Sequence, residues 1–344
     1  MNHWDRIILE DHVPGSALAP QLERLFAQQR QHWSLLREGE ASLATIETKT
    51  LECSGAQVIV QANPVRKRSI HARVDEKSIA ARSCFLCPEN MPAEERGIGL
   101  GDLVVLPNPY PILRRHCTVP ERTHRPQRLA GRIVKLLELA QVMGPEMLVF
   151  YNGARCGASA PDHFHLQACD ARNIPLLSEL PLAGNGALCQ AHSSFGRNML
   201  LMADPQADRL QQQIEHALSL LVEKGVAGEK GVGTLLPERP FGCFAQKSPD
   251  PFFSEPMFNL IALVRDGRYW AILFPRAAHR PSCFSAPGDA QLAISPAALE
   301  MVGLLVVSDP AQLDRVDAQT AHTIYQEVCL NDTRFAQFMQ GVQA

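Results

Sequence analysis

The stretch Asp162-His163-Phe164-His165-Leu166-Gln167 carries two histidines and a glutamine at every second position. Side chains of an extended strand alternate between its two faces, so this spacing predicts His163, His165 and Gln167 on one face. Just upstream, residues 151–161 read Tyr-Asn-Gly-Ala-Arg-Cys-Gly-Ala-Ser-Ala-Pro, a loop of small residues rich in backbone donors. A row of imidazoles beside such a loop suits a phosphate ester. We interpret the combination as a chemical site, rather than as a strand that merely has one polar face.

Length and composition restrict the class of protein. The chain has 344 residues, 46% of them hydrophobic, and a net charge of −3, which fits a globular protein with two domains or a duplicated one. It has no basic excess, so a nucleic-acid polymer is not expected as a partner. The first residues lack the layout of a signal peptide, and no apolar run is long enough to span a membrane. We therefore expect a cytoplasmic protein with no membrane partner.

The pattern along the chain predicts three segments. Residues 1–50 form an N-terminal helical segment, because apolar positions recur at helical spacing between Pro20 and Ile46. Residues 51–175 combine strands with one helix and form the catalytic half. Residues 176–344 again offer strands followed by a helix, including a hairpin across Asp266-Gly267, and would complete the substrate site. This repeated order is a hint of duplication.

The pair Cys84-x-x-Cys87 has the spacing of a metal site, because a short turn lets two thiolates reach one ion. A redox pair and two unrelated buried thiols are the alternatives. Zinc would need two further ligands, and the candidates are His116, His124, His163 and His165. The ten cysteines are scattered in a chain without a signal peptide, so we expect free thiols and a zinc site, not a disulfide framework.

These residues carry a resemblance to a known superfamily. Cys-Phe-Leu-Cys-Pro-Glu-Asn (84–90) with Asn-Pro-Tyr-Pro (108–111) resembles the zinc turn of galactose-1-phosphate uridylyltransferases. The segment 151–167 resembles the active-site segment of diadenosine tetraphosphate phosphorylases and plant GDP-galactose phosphorylase. All belong to the transferase branch of the histidine-triad superfamily, in which Gln replaces the third motif His of the hydrolases. The specific likeness spans residues 63–167, and the rest of the chain, including 274–281, resembles a bacterial family of that branch.

The resemblance implies a fold and a set of roles. The fold would be α+β, with histidine-triad-like antiparallel sheets, flanking helices and two related halves as in galactose-1-phosphate uridylyltransferase. The resemblance assigns the following roles: zinc ligands, Cys84, Cys87, His124 and His163; nucleophile, His165; contact to the transferred phosphoryl group, Gln167; and phosphate loop, Asn152, Gly157 and Ser159. The zinc would be structural. Two departures stand out: Asp162 replaces a frequent Pro, and the stretch between Cys87 and His124 is short, so His116 stays a rival ligand.

The residues also indicate a mechanism within that resemblance. A neutral imidazole attacks the α-phosphorus, a nucleotidyl-histidine forms, and a phosphate-bearing acceptor takes the nucleotide. Gln167 cannot act as an acid or a base, which favours transfer over hydrolysis. Two basic groups are further candidates for phosphate or ribose binding, with a solvated surface as the alternative reading: Arg66 and Arg68, with Arg73 beside them, and Arg276, His279 and Arg280 after a strand.

The sequence thus predicts a nucleotidyltransferase or nucleotide phosphorylase. Its substrates would be a nucleotide sugar or dinucleoside polyphosphate and a phosphate-bearing acceptor. The oligomeric state stays open, and the resemblance allows a homodimer because relatives often pair as dimers. The alternatives are a hydrolase of the same substrates and a zinc-stabilised nucleotide-binding protein without turnover.

Overall fold

The computed structural model describes residues 3–53, 55–67, 74–223 and 255–344. Its strands are β1 (Ile8–Asp11), β2 (Glu47–Cys53), β3 (Ala56–Ala62), β4 (Gly97–Leu100), β5 (Leu103–Pro107), β6 (Cys117–Pro120), β7 (Met147–Asn152), β8 (His165–Asp170), β9 (Leu188–Ser194), β10 (Arg197–Asp204), β11 (Phe258–Arg265), β12 (Arg268–Pro275) and β13 (Leu304–Val307). Its α-helices are α1 (Ala19–His32), α2 (Ser34–Ser42), α3 (Glu76–Ala80), α4 (Ile133–Met143), α5 (Pro175–Glu179), α6 (Ala207–Glu223), α7 (Ala298–Met301), α8 (Ala318–Val328) and α9 (Asp332–Gln343). Short 3₁₀-helices cover His3–Arg6, Pro64–Arg66, Pro88–Asn90, Ser282–Ser285, Gly288–Ala290 and Pro310–Gln312.

Ten strands form one large sheet in the order β1-β4-β5-β6-β8-β7-β11-β12-β10-β9. Neighbouring strands are antiparallel except for the parallel pair β1–β4. The order is mirrored about the β7–β11 pair. On one side β6, α4, β7 and β8 follow one another in the chain, and on the other side the described residues give the order β10, α6, β11 and β12. This arrangement confirms the predicted α+β class and matches two related halves.

The large sheet has a hydrophobic core on each face. One core contains Val149 and Leu166 and packs against α1, α4, α6 and α9. The other contains Phe150 and packs against the small sheet β13-β3-β2 and α5, α7 and α8. Because side chains alternate along β8, His165 and Gln167 face this second layer. The predicted chemical site therefore lies on the side of the sheet that the small sheet covers.

Several sequence predictions hold and others need correction. The hairpin is confirmed as β11–β12, with Asp266 and Gly267 both at positive φ as a tight turn requires. The N-terminal helix is two helices, because the backbone is extended at Trp33 (φ −125°, ψ 102°), and residues 1–50 also contain β1. Residues 176–196, whose polar and uneven pattern predicts no regular element, contain most of α5 and all of β9. The glycine-rich segment 225–233 lies outside the described residues.

The division into segments 1–50, 51–175 and 176–344 stays a prediction, since strands from all three share the large sheet.

Within the part of the chain that the structure describes, no helix combines the length and apolar character needed to cross a lipid bilayer.

Candidate active site

The two cysteines lie in a turn that follows α3. The backbone N–H of Cys87 donates to the carbonyl of Cys84 at 3.2 Å, and Asn90 Nδ2 donates to the same carbonyl at 2.9 Å. Both cysteine side chains are buried. The turn holds the two sulfur atoms on the side that faces the histidine motif.

Four of the predicted metal ligands converge at this turn. Cys84 Sγ lies 3.4 Å from His163 Nδ1, and Cys87 Sγ lies 3.2 Å from His124 Nδ1. All four ligand atoms lie within 4.8 Å of one another. In tetrahedral zinc sites, Zn–S and Zn–N bonds imply sulfur–nitrogen separations of about 3.6 Å. The donor set therefore has the chemistry and spacing of a closed Cys2His2 site.

The pKa shifts of the two thiols and of His163 are also those expected of ligands that need a bound cation. Burial raises the pKa of the Cys84 thiol to about 12 and raises that of Cys87, so both thiols need a positive charge nearby to ionise. Burial lowers the pKa of His163, and its Nε2–H donates to the carbonyl of Glu121 at 2.7 Å. That bond leaves the Nδ1 lone pair directed at the thiols, as in metal sites where a second hydrogen bond fixes the imidazole.

Asp162, the departure from the family pattern, has a structural role at this turn. Its carboxylate forms an ion pair with Arg82 at 2.5 Å, and the Asp162 side chain is nearly buried. Arg82 lies between α3 and the cysteine turn and also stacks on Phe85. The acidic residue thus connects the start of the histidine motif to the metal turn.

His165 is the first residue of β8 and is 3% exposed. Its Nδ1–H donates to the carbonyl of His163 at 2.8 Å, which leaves a lone pair on Nε2. Burial lowers the pKa of His165 to about 4, so the imidazole is neutral near pH 7. A neutral histidine with one nitrogen held by a backbone carbonyl has the form that nucleophilic attack requires.

Gln127 supports His165 and was missed by the sequence prediction. Its Oε1 accepts the N–H of His165 at 2.8 Å, and its Nε2 donates to the carbonyls of His165 and Asn152 at 3.0 and 2.9 Å. The side chain is fully buried. It lies in the loop after β6, far from the motif in sequence, so no local signal marked it.

Gln167 contacts His116, the rival candidate for the zinc site. His116 Nε2 lies 3.0 Å from Gln167 Oε1, and His116 Nδ1 accepts the N–H of Ile112 at 3.2 Å. Both ring nitrogens are occupied, and His116 is not part of the Cys2His2 group. The alternative prediction that His116 binds the metal is therefore wrong, because the loop before β6 directs the His116 side chain to Gln167, on the other side of the motif from the cysteines.

The small-residue loop is anchored by the second half of the chain. Asn152 Oδ1 accepts hydrogen bonds from Asn259 Nδ2 at 2.9 Å and from the N–H of Ala298 at 2.8 Å. Gly157 has φ +98°, and a Cβ there would overlap the side chain of Ala297. Asn259, the one polar residue in the apolar run 258–264, is a signal that sequence reasoning overlooked. Within the same loop, Ser159 is half-buried.

The structure gives Arg276 a role inside the protein. Its side chain is 1% exposed and all five N–H groups have protein acceptors. Nε donates to Val328, Nη1 to the side chain of Asn259 and to Pro296, and Nη2 to Ala278 and His279. No donor remains for a phosphate, and Arg276 instead holds Asn259 against the loop.

The other basic candidates lie in two places. Arg66 donates to the carbonyl of Tyr110 at 2.9 Å, and its charge helps to lower the pKa of His116, so it lies on the Gln167 side. His279 has its pKa lowered to about 3 by burial and by the nearby charges of Arg280, Arg276 and Arg155. Arg155 is a further candidate, because its Nε is buried without a hydrogen-bond partner among the described residues. Arg68 lies outside the described residues.

Comparison with known proteins places the fold. Residues 25–170 match the family described as Domain of unknown function (DUF4922), which is less than half of the chain. No curated protein matches the chain. The solved structure of yeast Ap4A phosphorylase Apa2 matches with a TM-score of 0.53 and 16% identity, covering 91% of this chain and 94% of that chain.

Two further solved structures of the same yeast enzyme match as well. One is its complex with AMP, with a TM-score of 0.53, 16% identity and coverage of 92% of this chain and 98% of that chain. The other is its complex with Ap4A, with a TM-score of 0.50, 16% identity and coverage of 87% and 97%. The chain therefore has the fold of Ap4A phosphorylase, in agreement with the branch that the motif resembles.

Proposed function

We propose that the protein is a nucleotidyltransferase that acts as a phosphorylase of dinucleoside polyphosphates through a nucleotidyl-His165 intermediate. The observation that carries this proposal is the state of His165, which is buried, neutral and free at Nε2. The likeness to a phosphorylase solved with Ap4A supports a dinucleoside polyphosphate over a nucleotide sugar, the second substrate class of this chemistry.

In the first step, Nε2 of His165 attacks the α-phosphorus of the substrate. The new P–N bond replaces the P–O bond to the leaving nucleoside polyphosphate, which departs with the electron pair. The attacking imidazole becomes positively charged, and the carbonyl of His163 stabilises that charge by accepting a hydrogen bond from Nδ1–H. His165 needs no separate base, because it is already deprotonated at Nε2.

In the second step, an oxygen of inorganic phosphate attacks the same phosphorus and the P–N bond breaks. The imidazole returns to its neutral form and a nucleoside diphosphate is released. A phosphate dianion carries no proton that must be removed, whereas water does. Gln167 cannot remove a proton, and this supports phosphate as the acceptor.

Charge that develops on the phosphoryl oxygens needs donors in fixed positions. Gln167 and Asn152 both have their side-chain oxygens engaged by protein donors, so each has an NH2 group to offer. The backbone N–H groups of Gly157 and Ser159 and the hydroxyl of Ser159 would be further donors. Arg66 on the Gln167 side, and Arg155, His279 and Arg280 near Arg276, would bind the outer phosphates. Arg68, which lies outside the described residues, is a further candidate for the same role, while Arg276 positions the loop through Asn259.

Cys84, Cys87, His124 and His163 would hold a structural zinc ion. Bound there, the metal would supply stability rather than a reaction step, because protein groups fill all four positions. His163 also provides the carbonyl that accepts the hydrogen bond from His165 Nδ1–H. The metal turn and the nucleophile are therefore adjacent in the chain and separate in function.

The test is incubation of the purified protein with Ap4A, with and without inorganic phosphate. A phosphorylase yields a nucleoside diphosphate and a triphosphate only with phosphate present. Release of a monophosphate with water alone would identify a hydrolase and contradict the proposal. Omission of phosphate should leave a nucleotide adduct on His165, and its mass names the nucleotide. Nucleotide binding without adduct or product would identify a binding protein.

A further inference from the structure

His116 takes part neither in the metal group nor in the chemistry proposed for His165, yet it is almost fully buried. In folded proteins, both nitrogens of a buried imidazole generally form hydrogen bonds. Here one partner is a backbone amide and the other is the side chain of Gln167.

The backbone selects the tautomer of His116. The N–H of Ile112 can only donate, so Nδ1 of His116 accepts and carries no proton. Burial and the charge of Arg66 lower the pKa of His116 to about 3, so the ring is neutral and its one proton is on Nε2. Nε2–H therefore donates to Gln167, and the partner atom must be the carbonyl oxygen Oε1.

The loop that carries His116 is itself fixed. Asn63 Nδ2 donates to the carbonyl of Pro111 at 3.1 Å, and Gln61 Nε2 donates to the carbonyl of Ile112 at 3.1 Å. The N–H of Asn108 donates to the carbonyl of His116 at 2.8 Å. The first two bonds tie residues 111 and 112 to the end of β3 and the residue after it, and the third closes the loop from 108 to 116. The ring of His116 therefore has a defined position.

From this geometry we infer that His116 is a positioning residue, which orients the Gln167 amide so that its NH2 group, and not its oxygen, meets the transferred phosphoryl group. This rests on the proposed function, in which Gln167 contacts that group. The oxygen and the NH2 group of a side-chain amide are nearly the same size. An amide without a fixed partner would therefore place its oxygen against the phosphoryl oxygens part of the time. A fixed donor avoids that repulsion without reorganisation during the reaction.

A double-mutant cycle tests the inference. His116→Asn retains an acceptor near Ile112 but has nothing at the position of Nε2, whereas the matched variant His116→Gln retains an amide there. We expect His116→Asn to lower kcat about 10- to 100-fold with little change in KM, and His116→Gln to recover most of that loss. In a Gln167→Ala background, His116→Asn should change kcat less than about twofold, since the residue it orients is gone.

An equal loss of kcat from His116→Asn in both backgrounds would overturn the inference, because His116 would then act independently of Gln167. Metal content and melting temperature are measured for each variant to exclude a general loss of structure. Nitrogen-15 NMR of histidine-labelled wild-type protein is a readout that depends on neither a variant nor turnover. It should show Nε2–H and unprotonated Nδ1 for His116 at pH 7, and the opposite tautomer or a charged ring would overturn the inference. Absence of Ap4A turnover in the wild type would instead contradict the proposed function, which keeps the two failures apart.

Discussion

Gln127 is hydrogen-bonded to both backbone groups of His165, at 2.8 Å through its Oε1 and at 3.0 Å through its Nε2. The ladder between β7 and β8 ends at the pair Phe150–Gln167, so His165 has no strand partner on the β7 side. Gln127 takes the place of that partner and also reaches the carbonyl of Asn152. One side chain thus holds the nucleophile and the phosphate loop at a fixed separation.

Gln127→Ala should lower the free energy of unfolding by about 3 kcal/mol, since three buried hydrogen bonds are lost at about 1 kcal/mol each. It should also reduce turnover, because β7 and β8 can shift at His165. Urea denaturation and steady-state kinetics measure the two effects. Gln212→Ala, on the exposed side of α6, is the control and should leave both unchanged. A loss of less than about 1 kcal/mol would show that the strands hold their separation without Gln127.

His165→Ala should abolish the nucleotide adduct and lower turnover on the order of 10³-fold or more, because the proposed mechanism forms the P–N bond at Nε2 of His165. The fold and the metal content should remain, since the His165 side chain is bonded only to a neighbouring carbonyl. Mass spectrometry of the intact protein measures the adduct. His216→Ala, an exposed histidine on α6, is the matched control. Retained activity in His165→Ala would show that the nucleophile is another residue.

Cys87→Ser should remove the metal, because Cys87 Sγ lies next to the nitrogen atoms of both histidine ligands. We expect about one zinc ion per wild-type chain and almost none in the variant, with a lower melting temperature in the variant and in chelator-treated wild type. Cys189→Ser, an exposed thiol on β9, should match the wild type. Metal analysis by mass spectrometry decides this, and a metal-free wild type with an unchanged fold would reject the zinc site.

Glu255 gives a prediction for pH dependence. Its carboxyl accepts the N–H groups of Leu129 and Ala130 and is bonded to Tyr151, and burial raises its pKa from 4.5 to about 7. Between these values the folded chain retains a proton that the unfolded chain has released. The free energy of unfolding should therefore fall by roughly 2–3 kcal/mol as the pH rises from about 4.5 to about 7.

Glu255→Gln mimics the protonated carboxyl and should lose this part of the pH dependence. Urea denaturation of both proteins across that range measures it. Burial also raises the pKa of Glu95 to about 7, so the comparison uses the difference between variant and wild type, in which the contribution of Glu95 cancels. Identical pH profiles would show that Glu255 is ionised in the folded protein.

The local patterns of the chain predicted much of this architecture. The Asp-Gly turn between two apolar runs predicted the β11–β12 hairpin, because positive φ at two residues is a strictly local requirement. The spacing of Cys84 and Cys87 predicted a metal-binding turn, because two thiolates in one short turn can reach the same ion, which is also a local requirement. The break at Trp33 was not predicted, because apolar residues continue at helical spacing across it and the extended backbone there follows from packing.

By itself, the sequence determined the chemistry that is available: two thiolates, a histidine row, a glutamine in place of a third histidine and a loop of small residues. The tertiary structure decided how these are divided. His163 lies before β8 and faces the cysteines, while His165 begins the strand and faces the second layer, so the expected single row is two sites. Gln127, Asn259 and His116 reach the motif from distant segments, and His116 joins Gln167 instead of the metal. Such contacts depend on how the strands pair and on which polar groups the core leaves to be satisfied, and neither is encoded in local spacing.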